Sequence, residues 1–521
     1  MEKLLGKIDK TVFGISAVIC LIFVAWGFLF TEQAGATFSV WLSFLTGNFG
    51  WLYLIIVTAF VVFLIVLGLH PVGKIKLGKD DEPPLMGIKT WFAMVFFTAM
   101  GIGMIFWGVA EPIYHLAAPP LGEAAGSDAA RAAMRTSFMH WGLHPWSVYG
   151  VVGIALAYWQ FRKDKPALLS SCLIPVYGEK GAKGWMGKFV DILCVFATIF
   201  GVATSLGLGS MQMTAGVNYA YGIPNVMGVT IAIIAILTLV FIISAVTGIW
   251  KGILYLTRVN AVLCFIMMLF VLFAGKTVFI LNVFTDTVGA YIQDLVFLSF
   301  WTDPYGANPG WLGGWTIFYW AWWLAWGPFV GGFVARISRG RTIREMVVGV
   351  MFGPTLLCFI WFSIMGGTAV GFELAGNTAI SEAVSINVAN SLFAMFGELP
   401  LSMVFWAIAT LSIGIFFVTS ADSATFVCAM MTSFGVQDPN KNLKIFWGIV
   451  EGGVAAVLLI AGGLSALQTA SIAGAFPFML VCAVLMLAMK RAFWSDPAMK
   501  GEAYTLADAE RARAELEAQA N

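Results

Sequence analysis

The chain has 521 residues, of which 60% are hydrophobic and 11% charged, and its formal net charge is +1. So little charge cannot keep a soluble body of this length wet, and lipid must be the solvent for much of it. A near-neutral balance argues against nucleic acid as a partner. Seven scattered cysteines with no C-x-x-C pair argue against a zinc site and against a disulfide framework.

A bilayer core asks for roughly 20 apolar residues per helix. In chain order, runs of that kind lie at 12–31, 51–70, 88–113, 137–159, 189–211, 227–249, 253–274, 312–335, 346–370, 401–431, 445–464 and 468–489. They predict an all-α integral membrane protein with twelve spans, to within about one. The first run is long enough to span and no A-x-A site follows it, so it reads as an anchor and not as a cleaved signal. The stretch 278–300 is shorter, carries Asp286 and Asp294, and reads as an amphipathic helix lying at the lipid interface. The Ala-rich residues around Arg511 to Gln519 suit a short helix on the cytoplasmic side.

The loops test this count, because cytoplasmic loops hold the Lys and Arg of a membrane protein. When successive loops are assigned alternately, 26 of the 29 basic residues fall on one side, and only Arg131, Arg135 and Lys276 on the other. A miscounted span would scramble that pattern. Both termini are therefore expected in the cytoplasm, across the inner membrane of a bacterium.

Two spans are interrupted, and polar or broken segments at membrane depth are tolerated where they line a cavity. Met100-Gly101-Ile102-Gly103-Met104-Ile105-Phe106-Trp107-Gly108 precedes Glu111-Pro112. One reading is a half-unwound helix whose free N–H groups meet an anionic group; the other is close helix packing through small residues. Phe416 to Ser423 places Thr419, Ser420, Asp422 and Ser423 inside an apolar span. Hydroxyls and carbonyls there suit a small hard cation such as sodium, or else simple interhelical hydrogen bonds.

Aromatic residues form two stripes. Trp141, Trp146 and Tyr149 fall within an arc of about 140° if the segment is one continuous helix. Trp315, Tyr319, Trp320, Trp322, Trp323 and Trp326 crowd another span, the last three near its middle, where a membrane-interface belt does not sit. A quaternary ammonium has no N–H to donate, so it binds through aromatic faces, each contributing roughly 0.5–2 kcal/mol. A Trp/Tyr box beside a glycine-broken helix therefore suits a zwitterion. His140 and His144 have the spacing of a metal-binding helix, but Pro145 follows and no third ligand is evident. No H-E-x-x-H, nucleophile–base pair or clustered intramembrane carboxylate suggests an enzyme, since Glu111, Asp422 and Glu451 lie on separate spans.

With these residues in hand, the sequence resembles the betaine/carnitine/choline transporter family over nearly its whole length. The matching motifs are Met100 to Gly103 with Glu111-Pro112, the stretch from His140-Trp141 through Trp146 to Tyr149, and Trp315 to Trp323. That last run continues through Trp326-Gly327-Pro328-Phe329 to Ala335-Arg336 and on to Glu345, and Thr419 to Ser423 matches as well. The resemblance implies a LeuT-type fold, with two extra helices in 1–87 and a first inverted repeat of five helices in 88–275. An interfacial helix and external loop at 276–310, a second inverted repeat in 311–491 and a tail at 492–521 complete it.

It also implies a homotrimer in lipid that imports a small zwitterion with sodium as the coupling ion. Trp141, Trp146, Tyr149 and Trp323 would form the box, Trp322 and Trp326 would line the pathway, and Met100, Gly101 and Gly103 would meet the substrate. The main sodium site would use Phe97, Met100, Phe416, Thr419 and Ser420. A second sodium would use Thr198 and Phe329, but Val202 stands where the family's sodium-coupled members place another threonine. Ala99 replaces the glycine that usually opens the stretch, and the long basic C-terminal helix of the osmosensing members is absent, so osmotic activation does not carry over. Choline carriers of the family tend to have Asp where this chain has Gly103, which favours glycine betaine, with dimethylsulfoniopropionate, ectoine and carnitine next. Proton-coupled uptake of choline or a related amine is the alternative within transport, and a membrane-embedded enzyme the alternative outside it.

Overall fold

Lipid offers no partner to a bare N–H or C=O, so apolar runs of spanning length close into helices. The computed structural model describes residues 5–99, 101–122, 126–247, 250–511 and 514, without the side chains of 97–99 and 250–254. Among the described residues there is no strand, and the one isolated bridge pairs Lys76 with Thr342.

The chain runs through α1 (Lys10–Leu29), α2 (Thr31–Leu69), α3 (Ile88–Ala99), α4 (Ile102–Ala117), α5 (Gly126–Trp141), α6 (Leu143–Ala157) and α7 (Trp185–Tyr221). It continues through α8 (Met227–Thr247), α9 (Trp250–Ala274), α10 (Thr277–Phe300), α11 (Phe318–Ile337), α12 (Gly353–Leu374), α13 (Ser402–Met431) and α14 (Lys441–Trp494). Asp9 caps α1 by accepting from the backbone N–H groups of Thr11 and Val12, at 3.0 and 3.2 Å. The chain between the first two expected spans is itself helical, so α2 is 39 residues long.

Eight helical stretches among the described residues are long and apolar enough to cross a membrane, against the twelve expected. The differences have physical causes. Gly101, with φ −101° and ψ −135°, ends the third expected span as one helix and divides it between α3 and α4. Gly142, with φ −87° and ψ −137°, divides the fourth between α5 and α6. The eighth, α11, is so rich in Trp and Tyr that hydropathy underrates it. The last two runs are joined as α14, which is interrupted at Gly463, where φ is 57°.

Both ends of α14 lie in one layer. Lys444 near its start lines one cavity with Gln160, two residues before Arg162, while Asp496 just past its end holds Arg162. A straight 54-residue helix would separate its ends by about 80 Å. The chain therefore doubles back at Gly463, a reversal that glycine makes without Cβ strain.

That layer is basic and tightly paired. Buried Arg162 bonds Asp496 through Nη2 and Nε at 2.8 and 2.9 Å, Asp80 Oδ1 at 2.9 Å and the Gly78 carbonyl at 3.0 Å. Tyr504 joins it: its carbonyl accepts from Asp80 N at 2.9 Å, its own N–H donates to Asp80 Oδ2 at 2.7 Å, and its ring lies 4.5 Å from Lys79 Nζ. The Arg-rich segment works in the same layer: Arg344 Nε donates to the Gly68 carbonyl at 2.6 Å, and the Arg341 guanidinium stacks 4.3 Å over Trp91.

Burial alone would raise the Asp496 carboxyl, but Arg162 and the Tyr158 hydroxyl outweigh it and hold it down to about 2. A depressed carboxylate pKa stabilises the fold above the unfolded value near 3.9 and loses that contribution as pH falls toward the folded one. The Asp496 contribution should thus be flat from pH 5 to 8 and fade only between about pH 4 and 2. Asp496→Asn leaves a buried guanidinium short of charge and should cost about 3 kcal/mol at neutral pH, read as a lower thermal unfolding midpoint of the solubilised protein.

On the opposite side, Arg131 pairs with Asp286 and Arg135 with Asp294, which tie α5 to α10. The connection before α13 contains helices Ala379–Ile386 and Ser391–Gly397.

Candidate functional site: an aromatic box beside a broken helix

The glycine stretch is both a break and a packing seam. Gly101 interrupts the helix, and a Cβ at Gly101 would sit 3.1 Å from Ser420 Oγ and 3.4 Å from Trp326. A Cβ at Gly103 would come within 2.6 Å of the Trp322 ring and 3.2 Å of Trp141, and one at Gly108 within 2.4 Å of Trp361 Nε1. Segments far apart in sequence therefore converge on Gly101, just before α4, and on Gly103 and Gly108 within it.

The box residues meet, but not as one helical stripe. Trp141 is the last residue of α5 and Trp146 and Tyr149 lie on α6, so the continuous arc expected for them is broken at Gly142. Glycine is required at this break: a Cβ on Gly142 would lie 2.6 Å from the Phe138 carbonyl and 2.7 Å from the Tyr291 hydroxyl. Trp141 and Trp323 meet edge to face with centroids 4.9 Å apart, Tyr149 lies 6.4 Å from Trp323, and Trp146 lies 5.8 Å from Tyr149. All four rings are buried, and Trp323 Nε1 donates to the His140 carbonyl at 3.2 Å. The Tyr149 hydroxyl is buried with no hydrogen-bond partner among the described residues, a group available to a bound solute.

Trp322 and Trp326 are plugs as much as walls. Trp322 Nε1 donates to Ser205 Oγ at 3.2 Å and Trp326 Nε1 to the Gly201 carbonyl at 3.0 Å. These contacts set α7 antiparallel to α11 and bring Thr198 level with Phe329, the two residues expected at a second sodium site. Val202 in the same turn is buried and offers no oxygen. Thr204 is committed elsewhere, bonding the Leu467 carbonyl at 2.9 Å and Ser471 Oγ at 2.8 Å.

Of the main cation site, Phe416, Thr419 and Ser420 lie on consecutive turns of unbroken α13, with Ser420 against Gly101. Thr419 Oγ1 donates to the Ile415 carbonyl at 3.0 Å. Met100 and the Phe97 side chain, expected to complete this site, lie outside the described residues. A cavity of about 440 Å³ opens nearby, lined by Phe329, Arg336, Asp422, Ser423, Phe426 and Lys444 among others. Asp422 on α13 accepts from Ser244 Oγ of α8 at 2.5 Å, and Thr425, one turn further along α13, donates to Glu451 of α14 at 2.8 Å, so two neighbouring helices bond the same stretch of α13.

Sequence reasoning missed the fixture that holds the box. Buried Glu111 accepts from Trp141 Nε1 at 2.7 Å and the Tyr319 hydroxyl at 2.6 Å through Oε2. Its Oε1 meets His140 Nδ1 at 2.6 Å and His115 Nε2 at 3.3 Å. The signal was present, since a carboxylate in an apolar run with His four residues on marks a paired or functional position by default. His140 thus pairs with Glu111 and His115, whereas His144 turns away to Ser299 at 3.1 Å and stacks on Trp320. Glu111, His115 and His140 present one oxygen and two nitrogens within 4.8 Å of one another, the spread of a metal site. These atoms already satisfy each other by hydrogen bonds.

Comparison with known proteins identifies the family of the chain. A description of the betaine/carnitine/choline family transporters matches residues 11–498. The chain is similar to a probable glycine betaine transporter of Desulfitobacterium hafniense, 46% identical over 94% of this chain and 98% of that one. It is also similar to a glycine betaine transporter of Bacillus subtilis, 46% identical over 92% and 93%. An ectoine/hydroxyectoine transporter of Virgibacillus pantothenticus is 42% identical over 93% and 97%. The family and these relatives are transporters and not enzymes, and with eight long apolar helical stretches the chain is a multi-pass membrane protein. It belongs to the betaine/carnitine/choline family of transporters.

Proposed function

We propose that this protein imports glycine betaine, or a close zwitterionic relative such as ectoine or dimethylsulfoniopropionate, by sodium symport. The observation that carries the reading is the convergence on Gly101 and Gly103 of Trp141, Trp322, Trp326 and Ser420, which come from three other helices. The trimethylammonium group enters the box of Trp141, Trp146, Tyr149 and Trp323. The carboxylate meets backbone N–H groups freed at the start of α4, where the helix dipole favours an anion. Sodium sits between the broken segment and Thr419 and Ser420, and its binding orders the break.

In this reading the chain has twelve spans, with α14 counted twice at Gly463, arranged as two inverted repeats of the LeuT type. It works as a homotrimer in the bacterial plasma membrane with both termini cytoplasmic, so that the cavity beside Arg336 and Lys444 is the inward vestibule. Trp141 and Trp323 touch, so the box must part to admit a trimethylammonium group.

Purified protein in liposomes tests the coupling. Uptake of labelled glycine betaine should require an inward sodium gradient and vanish when potassium replaces sodium at fixed pH. Uptake that survives the replacement and follows a pH gradient instead would sink the sodium assignment and favour proton coupling.

A further inference from the structure

The box carries a charge that it never shows to the substrate. Glu111 is fully buried on α4, and its four acceptor positions are met by Trp141 N–H, Tyr319 O–H, His140 Nδ1 and His115 Nε2. An indole nitrogen can only donate. His140 Nε2 lies 2.9 Å from Thr316 Oγ1, whose hydroxyl can donate to it, so a neutral His140 satisfies both ring nitrogens. His115 Nδ1 has no partner among the described residues, as a bare lone pair would have when Nε2–H faces the carboxylate. With both imidazoles neutral and Thr316 donating to His140 Nε2, the network leaves the negative charge on Glu111, the state on which the following inference rests.

We infer that Glu111 is a specificity-determining residue that works through the rings: its carboxylate, hydrogen-bonded to the edges of Trp141 and Tyr319, makes the box select a cationic headgroup over an uncharged one of the same shape. This rests on the box reading above. Cation–π attraction is electrostatic, set by the negative face of the ring. A carboxylate at the N–H or O–H edge pushes density toward that face, and hydrogen-bonded chains polarise one another in a low dielectric. Because all four acceptor positions are occupied, neither sodium nor the ammonium group can draw the charge out by direct pairing. Trp141 sits 4.9 Å from Trp323 and 5.6 Å from Tyr319, so the polarised rings are those bordering the space where the headgroup would lie.

The test uses two ligands of one shape. Glycine betaine and tert-butylacetate differ only in that a carbon replaces the quaternary nitrogen. Their dissociation constants are measured by calorimetry on the purified full chain in saturating sodium, for the wild type, Glu111→Gln and Glu111→Asp. The inference expects Glu111→Gln to weaken betaine about tenfold while tert-butylacetate changes less than about threefold. Glu111→Asp keeps the charge, so it should weaken both ligands together and preserve their ratio.

Equal losses of both ligands in Glu111→Gln would reduce Glu111 to a strut and overturn the inference. Should Glu111→Gln not fold, Glu111→Asp carries the test, since collapse of the betaine preference with the charge retained would overturn it equally. Betaine binding left intact by Trp323→Leu would instead refute the box itself, and this inference with it.

Discussion

Trp323→Leu should raise the dissociation constant for glycine betaine at least about thirtyfold, the loss of one desolvated cation–π face together with its share of apolar contact. Trp323 is the hub of the candidate site, with ring centroids of Trp141 at 4.9 Å, Trp322 at 5.1 Å, Tyr319 at 6.1 Å and Tyr149 at 6.4 Å. Leucine keeps the position apolar and helical, so the change removes the π face and one N–H donation to the His140 carbonyl. The smaller side chain leaves a void that lowers stability, so binding is compared at a temperature well below the variant's own unfolding midpoint. Quenching of Trp fluorescence by titrated betaine reads the constant directly. An affinity within threefold of the wild type would return the aromatic cluster to simple packing.

The second large effect concerns Gly103. Gly103→Asp should depress glycine betaine uptake at least tenfold and raise choline uptake, because a carboxylate placed there neutralises an ammonium but repels the betaine carboxylate. Geometry adds to charge: the new Cβ would lie 2.6 Å from the Trp322 ring and 3.2 Å from Trp141, so one wall must move. Gly103→Ala separates the two causes, since it displaces the wall without adding charge. Competition of labelled betaine by choline in liposomes gives the readout. If Gly103→Ala and Gly103→Asp lost both substrates alike, crowding alone would explain the position, and Gly103 would carry no information about which solute is taken.

Much of this was legible in the sequence because membrane depth makes exceptions conspicuous. Glycines at 101 and 103, hydroxyls at 419 and 420, and mid-span Trp322, Trp323 and Trp326 each break an apolar pattern, and the structure sets Ser420, Trp322 and Trp326 against the two glycines. What stayed hidden was backbone geometry that no periodicity encodes. Gly142 and Pro145 are local signs of a helix start, but the hydropathy run continues across them, so it hides that Trp141 leaves the helix that holds Trp146. The reversal between the runs 445–464 and 468–489 was expected, but not that Gly463 makes it inside a helical stretch without a loop. Glu111 was visible as a motif residue, but its role depends on Trp141, Tyr319, His115 and His140 meeting across three helices, and sequence spacing predicts only the His115 contact.

The knot around Arg162 sets the order in which this protein is completed during its own synthesis. Arg162 and its partner Asp496 are separated by 334 residues. At translation rates of about 5–20 residues per second, Arg162 therefore waits roughly 20–70 s for its counter-charge to be made. Throughout that interval a guanidinium destined for burial must remain in water, with Asp80 as its early companion. The basic face can close only after nearly every span is in the bilayer, so its closure marks a finished chain, and a nascent product stalled before residue 496 should carry an open, protease-sensitive seam at residues 78–82 and 162–165.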